Sequence, residues 1–178
     1  MKVAITGHTR GIGLAIANFF REQGAEIVGF SKSTGYDISD ESVRSQIIEA
    51  VKDCDVFVNN AYVNNDENSQ LKMLSTVLSN WSGKNKIVIN IGSRSSDAVN
   101  DPGFAFPKYA RDKHKLDQLC LPVSMFPFVI NLKPGTVDTD MTKTRMVKKM
   151  QASSLIKVLQ FILDNKDEFK VRSITFTP

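Results

Sequence analysis

The chain has 178 residues, 42% of them hydrophobic and 24% charged, and its formal net charge is +4. That is length enough for one domain with a buried core, and the apolar share excludes a mainly disordered chain. The mild positive charge does not require nucleic acid as a partner, and no apolar stretch reaches the ~20 residues that cross a bilayer.

In chain order the predicted elements alternate. Lys2–Thr6 is a short apolar run ending at a Gly-rich turn, not the h-region of a signal peptide. Residues 13–23 carry Leu14, Ile16, Ala17, Phe19 and Phe20 at helical spacing, with Gly24 as a stop. Residues 25–30 read as a strand. Residues 40–51 read as a helix with Ser39 as its N-cap. Strands at 55–59, 86–91, 126–132 and 173–177 alternate with helices at 71–81, 108–121 and 153–165. Such alternation predicts an α/β, doubly wound parallel sheet in three α/β/α layers, one domain over residues 1–178. The near-continuous apolar strands fit burial on both faces.

Cys54 and Cys120 have neither CxxC nor metal spacing and read as reduced thiols of a cytoplasmic protein. His8 and His114 are too scattered for a zinc site, so no metal is expected.

Residues 6–13 read Thr-Gly-His-Thr-Arg-Gly-Ile-Gly, after the first strand and opening the first helix. In that context each glycine has a use. Gly7 allows a tight turn, Gly11 lets the backbone approach a pyrophosphate, and Gly13 lets helix and strand pack closely. The helix N-terminus offers free N–H groups and partial positive charge to phosphates. A Rossmann-type dinucleotide site is therefore expected. The spacing G-x-x-x-G-x-G differs from the G-x-G-x-x-G of many dehydrogenases.

With four further motifs in order, the chain resembles the short-chain dehydrogenase/reductase family along its whole length, as a shortened member. Asn59-Asn60-Ala61 is similar to the family's Asn-Asn-Ala-Gly, with Tyr62 where Gly is usual. Ile89-Asn90-Ile91-Gly92-Ser93 resembles the strand that ends in the catalytic serine. Tyr109-Ala110-Arg111-Asp112-Lys113 matches Tyr-x-x-x-Lys. Pro134-Gly135 with Thr139 resembles the segment that closes over the nicotinamide. The resemblance implies Ser93, Tyr109 and Lys113 as catalytic residues. It also implies a proton-relay asparagine before the serine strand; counting back lands on Asn65, with Asn64 and Asn68 beside it. Cofactor contacts are implied at Gly7, Thr9, Arg10, Gly11, Ile12 and Gly13, and at Asp37 and Ile38 against the adenine. Others are implied at Asn60, Ala61, Tyr109 and Lys113, and at Pro134, Gly135, Val137 and Thr139 around the carboxamide.

The chemistry stands on its own terms. Tyr109 and Lys113 are i and i+4, on one helix face. A free tyrosine, with a pKa of ~10, is a poor base at neutral pH. A nearby ammonium and an oxidised nicotinamide both favour tyrosinate. The phenol can then give a proton to a ketone or take one from an alcohol. Ser93, at a strand's C-terminal end, can hydrogen-bond the substrate oxygen. Ser95 and Ser96 compete for that role; Ser93 is preferred because it directly follows the strand.

An NAD enzyme usually ends its second strand in Asp or Glu. Here Phe30 is followed by Ser31-Lys32-Ser33. Cations and hydroxyls suit a 2′-phosphate. Ser31 and Lys32 supply them, and the family often has an arginine at the place of Arg10. The expected cofactor is NADP (NADPH) rather than NAD.

The six residues between Phe30 and Asp37 are too few for a parallel crossover of a dozen or more. The family's usual helix is therefore absent and its third strand is expected to be vestigial. The Met-rich stretch 141–150 is expected to serve as a lid. Its Lys143, Arg145, Lys148 and Lys149 read as one solvated helix face, with attraction of an anionic substrate as the alternative. Helices 71–81 and 108–121 carry apolar residues on more than one face, and in the family they pair across a two-fold axis. A homodimer or homotetramer is expected. The function expected is hydride transfer between NADP and a small carbonyl or secondary alcohol, with neither nucleic acid nor membrane as partner. Two rivals stay open. One is a catalytically silent NADP-binding regulatory protein. The other is an epimerase, dehydratase or nucleotide-sugar reductase with tightly held cofactor.

Overall fold

A computed structural model describes residues 1–64, 68–121 and 125–178. Its strands are β1 (Lys2–Thr6), β2 (Glu26–Phe30), β3 (Val56–Asn59), β4 (Ile87–Ile91), β5 (Phe128–Pro134) and β6 (Ser173–Phe176). They form one sheet in the order β2-β1-β3-β4-β5-β6, every pair parallel. The helices are α1 (Gly11–Glu22), α2 (Glu41–Ala50), α3 (Ser69–Asn80), α4 (Pro107–Leu119) and α5 (Ala152–Asp164). The order switches direction between β1 and β3, the place where open α/β sheets bind ligands.

Alternation along each strand sends side chains to two cores. Val3, Ile5, Val58, Ile89, Ile130 and Leu132 pack against Ile16, Phe20, Leu155 and Leu159 of α1 and α5. Ala4, Phe57, Val88 and Val129 face Ile47, Met73, Leu74 and Leu116 of α2, α3 and α4. Each fully buried large apolar side chain stabilises by about 1.5–3 kcal/mol. That outweighs the tenths of a kcal/mol separating most helix propensities, so burial decides the elements.

Several expectations are corrected. The first helix begins at Gly11 rather than 13. The N-cap of α2 is Asp40, whose Oδ1 accepts from Ser42 N at 2.8 Å. Ser39 instead donates its hydroxyl to Asp37 Oδ1 at 2.8 Å. The segment after β2 holds a single 3₁₀ turn, Lys32–Thr34, and no strand. β2 is therefore the sheet edge, without even a vestigial neighbour among the described residues. α3 starts at Ser69, where Asn68 turns the chain at φ 70°. Stretch 141–150 is not a helix. A short 3₁₀ turn, Asp140–Thr142, is followed by irregular chain that returns to pair Met150 with Val137. Cys54 and Cys120 are buried and free. Burial pushes the Cys120 thiol up to about 12, so it stays protonated.

Candidate functional site

The turn after β1 is built so that only glycine fits. Gly7 and Gly11 have φ of 73° and 55°, the left-handed region that favours glycine. A Cβ on Gly13 would stand 2.1 Å from Gly7 O and 2.6 Å from Asn60 Nδ2. Asn60 ties the turn to the end of β3: its Nδ2 donates to Thr6 O at 2.9 Å and to Gly7 O at 3.3 Å. The Asn60 and Ala61 amides both donate to Thr6 Oγ1, at 3.0 and 3.1 Å. Arg10 is the N-cap residue of α1, with no side-chain cap and no acid in the first turn. The first N–H groups of α1 are left for a ligand. Ile12 packs against the first core. These features fit the pyrophosphate of a dinucleotide.

Ser93, at the end of β4, is buried, and its Oγ accepts from Ser95 N at 3.1 Å. Ser96 is fully buried and spends its hydroxyl on Ser93 O at 2.8 Å, which removes it from the competition. Tyr109, in the first turn of α4, is half-buried. Burial raises its pKa, while a hydrogen bond with Ser93 and the charge of Arg145 draw it down. Against the lowering expected from Lys113, the phenol stands above the ordinary tyrosine value, with Ser93 and Arg145 only partly offsetting burial. Ser93 and Tyr109 are brought together, and Lys113 Nζ lies 5.5 Å from the Tyr109 ring centroid.

Lys113 has partners that sequence reasoning missed. Its Nζ donates to Gln70 Oε1 at 2.7 Å and to Ile91 O at 3.0 Å. Gln70 is held in turn, its Nε2 donating to Asn59 O at 2.9 Å and Ile91 O at 3.1 Å. Beside it runs a ladder of asparagines in register across β3, β4 and β5. Asn59 Nδ2 donates to Asn90 Oδ1 at 2.9 Å, Asn90 Nδ2 to Asn131 Oδ1 at 2.8 Å, and Asn131 Nδ2 to Asp117 Oδ1 at 2.9 Å. Lys133 closes the row on Asp117 at 2.9 Å. The available signal was a polar residue near the C-terminal end of each of three buried strands. Tyr62, where the family has Gly, stands edge-on to Tyr109 with centroids 5.2 Å apart and donates to Asp112 Oδ2 at 3.2 Å.

Burial pushes the Lys113 ammonium from 10.5 down to about 7. Between those values the unfolded chain binds the proton more strongly, so this group's contribution to stability rises with pH. In urea unfolding, the wild type is expected to gain stability relative to Lys113→Met between about pH 7 and 10. Parallel pH profiles would contradict this placement.

At the end of β2, four hydroxyls meet. Ser31 Oγ lies 2.8 Å from Ser33 Oγ and 3.3 Å from Thr34 Oγ1, and Thr9 Oγ1 is 3.3 Å from Ser33 Oγ. Lys32 is exposed and pairs with Asp37 at 2.7 Å. That hydrogen bond, with those from Ser39, holds Asp37 down at about 2. Ile38 is packed in the second core rather than open to solvent.

After β5, which ends at Pro134, Gly135 N donates to Phe176 O at 2.7 Å. Val137 is buried. Thr139 starts the 3₁₀ turn and folds over the Gly-rich turn: a Cβ on Gly11 would lie 3.3 Å from Thr139 Cγ2. The expected relay residue Asn65 lies outside the described residues. Among the described residues no cluster of three or more His, Cys, Asp or Glu could hold a metal, and no helix is long and apolar enough to cross a membrane.

No family model and no curated protein matches the chain. Solved structures do. A 3-ketoacyl-(acyl-carrier-protein) reductase from Brucella melitensis, complexed with NADH, superposes with a TM-score of 0.79 at 17% identity, over 99% of this chain and 96% of that one. A 3-alpha-hydroxysteroid dehydrogenase from Pseudomonas sp. B-0831, also with NADH, gives 0.77 at 18%, over 99% and 94%. A short-chain dehydrogenase from Sphingobium yanoikuyae with NADPH gives 0.74 at 16%, over 99% and 87%. The chain has the short-chain dehydrogenase/reductase fold. On that fold the Gly-rich turn, Asn60 and Ser93 stand at or just beyond the carboxyl ends of strands, on the side where such sheets bind ligands.

Proposed function

We propose that the protein is an NADP-dependent oxidoreductase that interconverts a small carbonyl compound and a secondary alcohol. The observation that carries this reading is the meeting of Ser93 and Tyr109, backed by buried Lys113, beside a turn that only glycine can form. The similar structures in complex with NADH or NADPH support a nicotinamide cofactor. When bound, the nicotinamide would supply or accept the hydride.

The chain's own residues do the rest. N–H groups of Gly11, Ile12 and Gly13 hold the pyrophosphate, with Gly7 shaping the turn. Arg10 and Lys32 meet the 2′-phosphate, with the hydroxyls of Thr9 and Ser31. Asp37 and the backbone of Ile38, whose side chain stays in the core, flank the adenine, and Asn60 and Ala61 border the ribose side. Pro134, Gly135, Val137 and Thr139 hold the carboxamide. Tyr109, kept protonated by burial, holds a proton at Oη for a carbonyl oxygen, and Ser93 hydrogen-bonds that oxygen. Lys113 binds the ribose. Gln70 positions Lys113, and Asn65 serves the proton relay. The apolar residues of α3 and α4 would pair in a homodimer or homotetramer.

One observation favours a second reading, a silent NADP-binding protein. Lys113 already has two acceptors, and Tyr62 stands with Tyr109 beside its ammonium. Turnover separates the two readings.

The cofactor assignment is tested by titrating NADPH and NADH into Arg10→Ala/Lys32→Ala protein. Hydrogen bonds to charged groups are worth about 1.5–3 kcal/mol, so NADPH affinity is expected to fall roughly 10-fold or more while NADH changes little. Equal losses for both cofactors would overturn the 2′-phosphate site.

A further inference from the structure

We propose that the substrate carries an oxyanion, a carboxylate, close to its carbonyl group, and that Arg145 holds it. The inference rests on the oxidoreductase reading and adds the substrate class.

Arg145 is placed by two contacts. Its backbone N–H donates to Thr142 O at 2.9 Å. Its guanidinium carbon lies 4.5 Å from the centroid of the Phe106 ring. Phe106 is the residue just before α4, and its carbonyl accepts from Ala110 N at 3.0 Å. The guanidinium is thereby anchored beside the helix turn that carries Tyr109. Its charge is felt at the phenol, where it favours the ionised form.

Three lysines near the site are matched. Lys133 sits between Asp97 and Asp117. Lys108 pairs with Asp112 at 3.1 Å. Lys149 faces Asp138 at 3.7 Å. Arg145 is half-buried, yet among the described residues no carboxylate pairs with it. Partly desolvating a charge costs free energy unless a partner offsets it. A planar fork with five donors matches a carboxylate in two parallel hydrogen bonds. A carboxylate on Arg145 would bring an adjacent carbonyl toward Ser93 and Tyr109. The sequence alone reads this cation as one of four on a solvated helix face, with attraction of an anionic substrate as the alternative. The irregular path of 141–150 singles it out.

The test uses the full chain with NADPH and matched pairs of 2-oxo or 3-oxo acids and their methyl esters. A phosphate-bearing ketone distinguishes phosphate from carboxylate. The expected result is kcat/KM for at least one acid about 10- to 100-fold above its ester. That ratio should collapse toward one in Arg145→Met and be partly kept in Arg145→Lys. Equal use of acid and ester, the same ratio in Arg145→Met, or a preference for the phosphate alone would overturn the carboxylate assignment. Absence of turnover with every pair would count against the oxidoreductase reading. Arg145 is then judged by saturation-transfer NMR of the oxo acid. Signal in the wild type and none in Arg145→Met supports the site; equal signals overturn it.

Discussion

Tyr109→Phe is expected to lower turnover of a carbonyl substrate about 10²- to 10⁴-fold. The substitution removes one oxygen and leaves the ring, with its edge-on contact to Tyr62, in place. What disappears is the only phenol that meets Ser93 among the described residues. Ser93 alone can hydrogen-bond a carbonyl oxygen, but an aliphatic hydroxyl is a much weaker acid than a phenol and a poor proton donor to it. The other nearby phenol, Tyr62, donates to Asp112 and is pushed well above the ordinary tyrosine range by burial and that carboxylate. It is therefore a poor stand-in. NADPH affinity should fall no more than about 10-fold, the loss of one neutral hydrogen bond of 0.5–1.5 kcal/mol. Steady-state kinetics with a cofactor titration check both halves. Turnover retained in Tyr109→Phe would remove the tyrosine from the mechanism.

Gly13→Ala is expected to cost about 3 kcal/mol or more of folding stability, a large part of the 5–15 kcal/mol usual for a domain. The new methyl would meet Gly7 O at 2.1 Å and Gly7 C at 2.8 Å, and backbone cannot rotate away. Moving Asn60 instead, 2.6 Å off, breaks its bonds to Thr6 O and Gly7 O. Overpacking of about 1–3 kcal/mol then adds to hydrogen bonds of about 1 kcal/mol each. Gly24→Ala is the comparison. Nothing lies within 4 Å of a Cβ there, and only its φ of 76° resists, at about 1–2 kcal/mol. Urea unfolding midpoints should separate the two variants clearly. Equal midpoints would mean that the turn relaxes and that its glycine is not required.

The sheet was legible because its strands are apolar nearly throughout, as burial on both faces requires. The short link from Phe30 to Asp37 correctly excluded a crossover there. Its physical outcome, β2 left as an edge, needed the pairing itself. The stretch 141–150 misled because Thr142 and Thr144 are weak helix formers and the return to Val137 competes with helix. At the candidate site, the need for glycine at 7 and 13 and the nearness of Ser93 to Tyr109 were legible from residue type, spacing and the family resemblance. Gln70 was not, because its role depends on β3, β4 and α4 converging on one amide. Arg145 was hidden among four cations until Phe106 set it apart. Ser39 lost the α2 cap to Asp40 because Asp37 had already taken its hydroxyl.

The most direct test of the central claim is a fluorescence titration of the wild-type protein with NADPH and then NADH, following the nicotinamide itself. Trp81, buried against Phe57, serves as a second reporter if energy transfer reaches it. Saturable binding of NADPH, about 10-fold or more tighter than NADH, is the predicted result. Binding of neither cofactor would contradict the oxidoreductase reading and leave the fold with a different ligand.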